Sequence, residues 1–167
     1  LRRLIAVGTY LIGKERLVLA LARHLSSPVY VDGGKRRVLD CLEWPELQAV
    51  LCDDPDQAAI HIVHLGMVSR EGLQKLGDRY RVDQVIGIKP TGWTFQGGGG
   101  NTAIKEYQNG RIAILSVPYS EHSSFDELAA FLDGVDVDQV IPTVDNWRSV
   151  SLRRYEYESG RELLTAW

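Results

Sequence analysis

The chain has 167 residues, a formal net charge of −3 and 44% hydrophobic residues. This length and apolar content suit one domain, or the larger part of one, with a core that needs no disulfide bonds. The acidic balance excludes a large basic surface for nucleic acid, although a local groove of Lys and Arg is compatible with it.

Cysteine use and the first residues indicate the redox compartment and the relation of this chain to a longer protein. Cys41 and Cys52 have neither metal-site spacing nor a secreted disulfide pattern, which indicates a reducing compartment. No apolar run has the length needed to span a bilayer, so no membrane partner is expected. The chain begins with Leu1, without a Met or a leader, and we expect it to be a piece of a longer protein.

The first predicted elements are a buried strand over residues 4–7, a glycine loop and an apolar helix. The loop, Gly8-Thr-Tyr-Leu-Ile-Gly-Lys-Glu15, is one residue from a phosphate-binding P-loop. Glu15 stands where that motif needs a Ser or Thr hydroxyl, and a carboxylate would repel phosphates. The alternative is a simple glycine turn, with Glu15 favoured by the dipole of the following helix.

Further short strands are predicted at residues 28–31, 58–65 and 82–88, with helical stretches at 36–42, 46–51 and 69–76 between them. This alternation predicts an α/β fold, with a mostly parallel sheet and helices on both of its faces. His61 and His64, three positions apart on one strand, should point to opposite faces and serve as ordinary strand residues.

The segment Lys89-Pro-Thr-Gly-Trp-Thr follows a predicted strand. Lys89, Thr91 and Trp93 supply a cation, a hydroxyl and an aromatic ring, which suit a phosphate backbone with a base or sugar against the ring. The alternative is a Pro-Gly turn with an anchoring Trp. The run Gly97–Gly100 that follows predicts a flexible loop, either natural or an engineered replacement for a deleted insertion.

A second strand-to-helix corner carries the most reactive side chain. Residues 112–117 predict a buried strand that stops at Pro118, and Ser124-Phe-Asp-Glu127 has the form of a capping box. His122 lies between them, where it could bind a metal or transfer a proton. A strand over residues 137–144 and a polar, basic helix over residues 148–167 are predicted after it.

Four motifs occur together in order: the glycine loop ending at Glu15, Lys89-Pro-Thr-Gly-Trp, Pro118-Tyr-Ser-Glu-His-Ser-Ser and Ile141-Pro-Thr-Val. In this order they resemble the C-terminal half of the DNA cross-link repair nucleases, the metallo-β-lactamase/β-CASP enzymes related to Artemis. The resemblance covers roughly residues 4–155. The second and third motifs are similar to those of the cross-link repair exonuclease branch.

The resemblance implies a domain division. Residues 1–95 would form a β-CASP region and 96–110 a flexible loop or linker. Residues 111–167 would return to a metallo-β-lactamase-like (DNA repair) segment, with a strand, a helix and a strand. The glycine loop would then belong to the β-CASP region rather than to a nucleotide site.

The resemblance also implies the chemistry. His122 would act beside a zinc centre, as a second-zinc ligand or as the acid that protonates the leaving oxygen, and Glu15 would orient it. Lys89, Thr91 and Trp93 would contact DNA, and the apolar Val144 favours DNA over RNA. The family's main zinc ligands match no residue here, so the isolated piece should be nearly inactive.

The expected whole protein is a zinc-dependent 5′-to-3′ exonuclease of interstrand cross-link repair that works in the nucleus. Its partners would be DNA, damaged or with a free 5′ end, and the missing N-terminal metallo-β-lactamase half of the same protein. Two alternatives stay open. One is a non-catalytic DNA- or protein-binding α/β domain in which His122 only hydrogen-bonds Glu15, and the other is a P-loop NTPase.

Overall fold

A seven-stranded sheet with helices on both faces belongs to the first of two compact units, Leu1–Glu121 and His122–Trp167. The computed structural model describes residues 1–92, 103–107 and 110–135. The strands are β1 (Arg3–Thr9), β2 (Val29–Tyr30), β3 (Leu51–Cys52), β4 (Ile60–His64), β5 (Gln84–Thr91), β6 (Ala103–Tyr107) and β7 (Ile112–Pro118). The helices are α1 (Glu15–Leu25), α2 (Gly33–Asp40), α3 (Pro45–Gln48), α4 (Arg70–Tyr80) and, in the second unit, α5 (Phe125–Asp133), with a 3-10 turn at Leu65–Met67.

The strands run parallel except at one edge of the sheet. Their order is β3-β2-β4-β1-β5-β7-β6, and among the described strands only β6 is antiparallel, to β7. At the centre, Ile5 of β1 lies opposite Ile60 of β4 and Ile86 of β5. The predicted α/β fold with a mostly parallel sheet is confirmed.

Alternate residues of β1 contribute to two separate core layers. Successive side chains of a strand point to opposite faces of the sheet. Val7 belongs to the same buried cluster as Val18 of α1 and Leu39 of α2. Leu4 belongs to a second cluster, with Leu73 of α4. Helices α1 to α3 therefore cover one face and α4 covers the other, as the sequence predicts.

Side chains at the helix starts define where α2 and α5 begin. Asp32 Oδ1 accepts hydrogen bonds from Gly34 N at 2.8 Å and Lys35 N at 2.9 Å, which satisfies two N–H groups of the first turn of α2. At α5, Glu127 N donates to Ser124 Oγ at 3.2 Å and Ser124 N donates to Glu127 Oε2 at 2.6 Å. The predicted capping box is confirmed.

Three local features differ from the sequence prediction. Helix α3, predicted over residues 46–51, runs from Pro45 to Gln48, and it can begin at Pro45 because proline at the first helical position lacks only an N–H that would have no helical partner. The sequence predicts neither β3, which has two residues, nor β6. The β6 strand lies inside the segment 96–110. The sequence predicts a flexible loop or linker there because the segment is rich in glycine near its start.

Strand β7 belongs to the same sheet as the strands that precede it. It pairs with β5 from Ile112 to Pro118. This strand opens the segment 111–167, which the sequence assigns to the metallo-β-lactamase-like part. That division of the chain stays a prediction.

The two histidines of β4 differ in burial. His61 is 1% exposed, and its ring centroid lies 4.8 Å from that of Tyr30 and 4.7 Å from that of Tyr80. Its Nε2 lies 3.1 Å from Pro55 O, which can only accept, so the neutral ring carries its proton on Nε2. Burial lowers the pKa of His61, and the hydrogen bond to Pro55 opposes this effect. His64 is exposed, and its Nδ1 caps the 3-10 turn.

Several predicted features lie outside the described residues. They are Trp93, the Gly97–Gly100 run, the strand over 137–144 with Val144, and the helix over 148–167. In the part of the chain that the structure describes, no helix combines the length and the apolarity that crossing a bilayer requires.

Candidate active site

Three chain segments meet at the sheet edge where β1, β5 and β7 end. Lys14 Nζ, from the loop between β1 and α1, donates to Pro90 O at 2.6 Å. Lys14 N donates to the two carboxylate oxygens of Glu121 at 3.0 and 2.9 Å. Tyr119 N donates to Thr91 O at 3.2 Å. Because ligands of α/β sheets bind at the carboxyl ends of the strands, this group of contacts is the candidate site.

Gly13 makes the approach of Glu121 to the glycine loop possible. Gly13 has a φ of 100° and Lys14 a φ of 71°, so the loop turns through the left-handed region just before α1 begins. A Cβ on Gly13 would lie 2.7 Å from Glu121 Oε2. A larger residue at position 13 would therefore strain the backbone and displace the carboxylate.

A buried ion pair fixes the other side of the same loop. Lys35 Nζ lies 3.0 Å from Glu15 Oε1, and the side chains of Lys35 and Glu15 are 10% and 7% exposed. The same ammonium group donates to Tyr10 O at 3.0 Å and Leu11 O at 2.7 Å. All three of its protons thus have acceptors, which is what a buried ammonium requires. Asp32 caps α2 and so sets where Lys35 lies.

Burial and the Glu121 carboxylate shift two neighbouring pKa values. Burial lowers the pKa of Lys14, and the Glu121 charge opposes this shift. Lys14 Nζ also lies 5.1 Å from the centroid of the Tyr10 ring, within cation–π range. Burial raises the pKa of Tyr119, and its hydrogen bond to Glu121 Oε1, at 3.1 Å, adds to the effect. Tyr119 therefore stays a protonated donor.

The loop geometry favours a glycine turn over a nucleotide site. In a P-loop, backbone N–H groups at the helix start bind phosphate oxygens. Here the N–H of Lys14 is bound to the carboxylate of Glu121, and Glu15 adds a second carboxylate in the first turn of α1. A phosphate at this loop would meet two negative charges.

His122 lies at the predicted strand-to-helix corner. The chain leaves β7 at Pro118, and α5 begins at Phe125. His122 is exposed and is the first residue of the second compact unit, directly after Glu121. Its predicted catalytic role, and the orienting role of Glu15, stay predictions.

Two of the three predicted DNA contacts lie on described residues. Lys89 is exposed near the end of β5, and Thr91, two positions on, is half-buried and faces the same side of the sheet. Trp93 lies outside the described residues. A cation and a hydroxyl on one face near a strand end could contact a phosphate backbone.

A metal site is not complete within the described ranges. No group of three or more His, Cys, Asp or Glu side chains there is arranged to hold a metal ion. A structural or catalytic zinc ion needs three or four protein ligands. The described residues therefore do not fit a zinc ion by themselves.

Sequence reasoning missed three residues of the site: Lys35, Tyr119 and Glu121. Glu121 and Tyr119 lie inside the motif around His122, so their position could have indicated them. Lys35 lies between the strand predicted over residues 28–31 and the helical stretch predicted over residues 36–42, and no local pattern marks it. Its partners Tyr10, Leu11 and Glu15 become neighbours only when the fold forms.

The chain is similar to several curated proteins. A model of the family described as DNA repair metallo-beta-lactamase matches residues 45–148. The chain is 37% identical to the mouse (Mus musculus) "DNA cross-link repair 1A protein" over an alignment of 149 residues, which covers 86% of this chain and 14% of that protein. It is 36% identical to the Arabidopsis thaliana "DNA cross-link repair protein SNM1" over 87% of this chain and 31% of that protein.

A more distant similarity is to the zebrafish (Danio rerio) "5' exonuclease Apollo", which is 28% identical over 142 residues, 85% of this chain and 22% of that protein. The chain thus spans less than a third of the length of each of these relatives, from 14% to 31%.

The fold and the contacts at its sheet edge define the class of protein, which is an α/β domain with a polar site at the carboxyl ends of parallel strands. Within that class, the chain belongs to the DNA repair metallo-beta-lactamase family, whose model matches more than half of its residues.

Proposed function

We propose that this chain is part of a zinc-dependent 5′-to-3′ DNA exonuclease that hydrolyses phosphodiester bonds in interstrand cross-link repair. The supporting observation is that three separate sequence motifs converge at one sheet edge. The glycine loop contacts the Lys89-Pro-Thr segment through Lys14 and Pro90, and the segment after β7 through Lys14 and Glu121. Motifs that are far apart in sequence and meet at the ligand-binding edge suit one shared site.

The proposed roles follow the chemistry of each side chain. His122 gives a proton to the leaving oxygen as the phosphorus–oxygen bond breaks, or acts as a second-zinc ligand. Glu15 orients His122 and stabilises its charged form. Lys89 and Thr91 contact the DNA backbone, and Trp93 stacks against a base or sugar. Zinc is the cofactor that the family implies.

The proposal also covers the partners of the protein and its location in the cell. The substrate is DNA that is damaged or has a free 5′ end. The other partner is a metallo-β-lactamase half of the same protein, which would supply the main zinc ligands. The isolated 167-residue chain should then show almost no nuclease activity. The names of the relatives refer to DNA cross-link repair, which supports a nuclear location.

A second candidate is a non-catalytic DNA- or protein-binding α/β domain. The observation that favours it is the exposure of three consecutive large apolar side chains in the glycine loop: Tyr10, Leu11 and Ile12 are 55%, 69% and 60% exposed. Exposed apolar groups at a loop tip often mark an interaction site. This candidate predicts DNA or protein binding without any strand cleavage by the full-length protein.

The deciding experiment is His122→Ala in the full-length protein that contains this chain. Cleavage is measured on DNA labelled at a free 5′ end, beside DNA affinity and melting temperature. The variant should lose about 100- to 10,000-fold in kcat, as expected when an acid or base catalyst is removed. Its melting temperature should change little because His122 is exposed.

The matched control is His24→Ala, which removes an exposed histidine of α1. It should keep the unmodified rate. Full activity of His122→Ala would refute the proposed role of that residue. Absence of cleavage by the unmodified full-length protein, with DNA binding retained, would favour the non-catalytic candidate.

A further inference from the structure

Glu121 connects the segment after β7 to the start of α1 through hydrogen bonds. Both of its carboxylate oxygens accept from Lys14 N, at 3.0 and 2.9 Å, and Oε1 also accepts from the Tyr119 hydroxyl at 3.1 Å. Lys14 and Glu121 are 107 positions apart in the sequence. These hydrogen bonds therefore connect the loop after β1 to the segment after β7.

The start of α1 is built to receive this carboxylate. Lys14 is the N-cap residue of α1, and its own side chain makes no capping hydrogen bond. Helix starts have unsatisfied N–H groups and a positive end of the helix dipole, both of which favour a carboxylate. Gly13 leaves the space, since a Cβ there would lie 2.7 Å from Glu121 Oε2. Glu121 thus caps α1 from a distant part of the chain.

The carboxylate of Glu121 already accepts hydrogen bonds from two residues. It accepts two hydrogen bonds from one backbone N–H and one from Tyr119. Such a group is held in one orientation by partners on two segments, which suits it to fixing backbone position rather than to taking up protons. Tyr119 is itself tied to β5 by the hydrogen bond from its N to Thr91 O at 3.2 Å.

We propose that Glu121 is a positioning residue that fixes the backbone leading into His122. The next Cα is about 3.8 Å away across a trans peptide, so fixing Glu121 restricts where the His122 main chain can begin. This inference rests on the proposed function of His122. A misplacement of about 1 Å at a catalytic group can cost about 100-fold in rate, so a hydrogen-bonded anchor one residue away has a large effect.

The test compares Glu121→Ala with Glu121→Gln in the full-length protein. The Ala variant removes the acceptor for Lys14 N, whereas the Gln variant keeps one amide oxygen in reach. Glu121→Ala should lower kcat by about 10- to 100-fold with little change in KM for DNA. Glu121→Gln should recover most of that loss. Glu43→Ala, at an exposed position before α3, is the control and should behave as the unmodified protein.

A second measurement does not depend on catalysis. Hydrogen exchange of the Lys14 backbone amide should speed up in Glu121→Ala and stay protected in Glu121→Gln, since only Ala leaves that N–H without its acceptor. If Glu121→Ala does not fold, Glu121→Asp replaces it. Asp keeps the charge but is one methylene shorter, so the same loss of kcat is expected.

The outcomes separate this inference from the proposed function. With an inactive His122→Ala, an unmodified kcat in Glu121→Ala or Glu121→Asp overturns the positioning role and leaves the function standing. A lower melting temperature together with a loss in kcat that Glu121→Gln does not recover also overturns it, as the mark of a purely structural role. A fully active His122→Ala overturns the catalytic role of His122 and the positioning role of Glu121 together.

Discussion

Lys35 Nζ lies 3.0 Å from Glu15 Oε1, and both side chains are almost fully buried. The contact joins the first turn of α2 to the first turn of α1, and the same ammonium binds two carbonyls of the glycine loop. Glu15, which the family resemblance assigns to orienting His122, therefore has a cation partner of its own. Through this contact the carboxylate shares one ammonium group with the carbonyls of Tyr10 and Leu11.

Removing the Lys35 cation should destabilise the protein strongly. Lys35→Met leaves the Glu15 carboxylate buried without its counter-charge and two carbonyls without a donor. Loss of one partner of a buried ion pair costs about 3–5 kcal/mol, and urea unfolding should show a decrease of this size. Lys75→Met, at an exposed site on α4, should change the free energy of unfolding by less than about 0.5 kcal/mol.

A double variant tests whether the loss comes from the ion pair. Glu15→Gln in the Lys35→Met background removes the unpaired charge and should restore part of the stability. If Lys35→Met costs less than about 1 kcal/mol, the pair behaves like an exposed salt bridge and the loop is held by other contacts.

Glu15→Gln alone should separate catalysis from binding. Gln keeps the size of the side chain and one oxygen for Lys35, but it removes the charge that would stabilise a charged His122. We expect kcat of the full-length protein to fall more than its affinity for DNA, measured by steady-state kinetics and by equilibrium binding. Equal losses in both quantities would indicate a structural role for Glu15. Glu43→Gln serves as the exposed control.

Lys89 offers a test of the DNA contact. Its side chain is exposed near the carboxyl end of β5, so Lys89→Ala should leave the fold intact. If Lys89 contacts a phosphate, the variant should weaken binding similarly for all DNA sequences and reduce the slope of log K against log salt by about 1. Lys75→Ala, on α4, should leave the slope unchanged. An unchanged slope in Lys89→Ala would reject the phosphate contact.

The sequence predicts the strands that carry the site because each is a short apolar run with a clear end. Residues 4–7 form the centre of β1, the predicted strand 82–88 overlaps the first part of β5, and residues 112–117 form nearly all of β7. The start of α5 was predictable as well, since a Ser-x-x-Glu capping box is a local signal. Burial on both faces of a parallel sheet and local hydrogen bonds both leave a pattern in the sequence.

The contacts within the site leave no such pattern. Lys35 and Glu15 are 20 positions apart, and Lys14 and Glu121 are 107 apart. Whether they meet depends on the strand order and on the left-handed backbone at Gly13 and Lys14. Strand β6, which was also missed, pairs antiparallel with β7 and follows a glycine-rich segment that predicts a loop.

His61 should make the stability of the fold depend on pH. The imidazole is 1% exposed between Tyr30 and Tyr80, and burial lowers its pKa below the ordinary value of 6.5. The unfolded chain therefore binds a proton at a higher pH than the folded chain does. The contribution of His61 to stability is complete above the unfolded-state pKa and is lost as the pH falls below it, toward the folded-state pKa.

The measurement is the free energy of unfolding in urea, taken at a series of pH values from about 7.5 down to about 5. In the unmodified chain it should fall in this window with a His61 contribution of up to about 1.4 kcal/mol per pH unit. His61→Gln keeps a donor for Pro55 O but cannot titrate, so its stability should be lower at neutral pH and less dependent on pH. His24→Gln, at an exposed site on α1, should keep the unmodified slope. If His61→Gln loses stability with the same slope, the pH dependence comes from other groups and folding does not lower the pKa of His61.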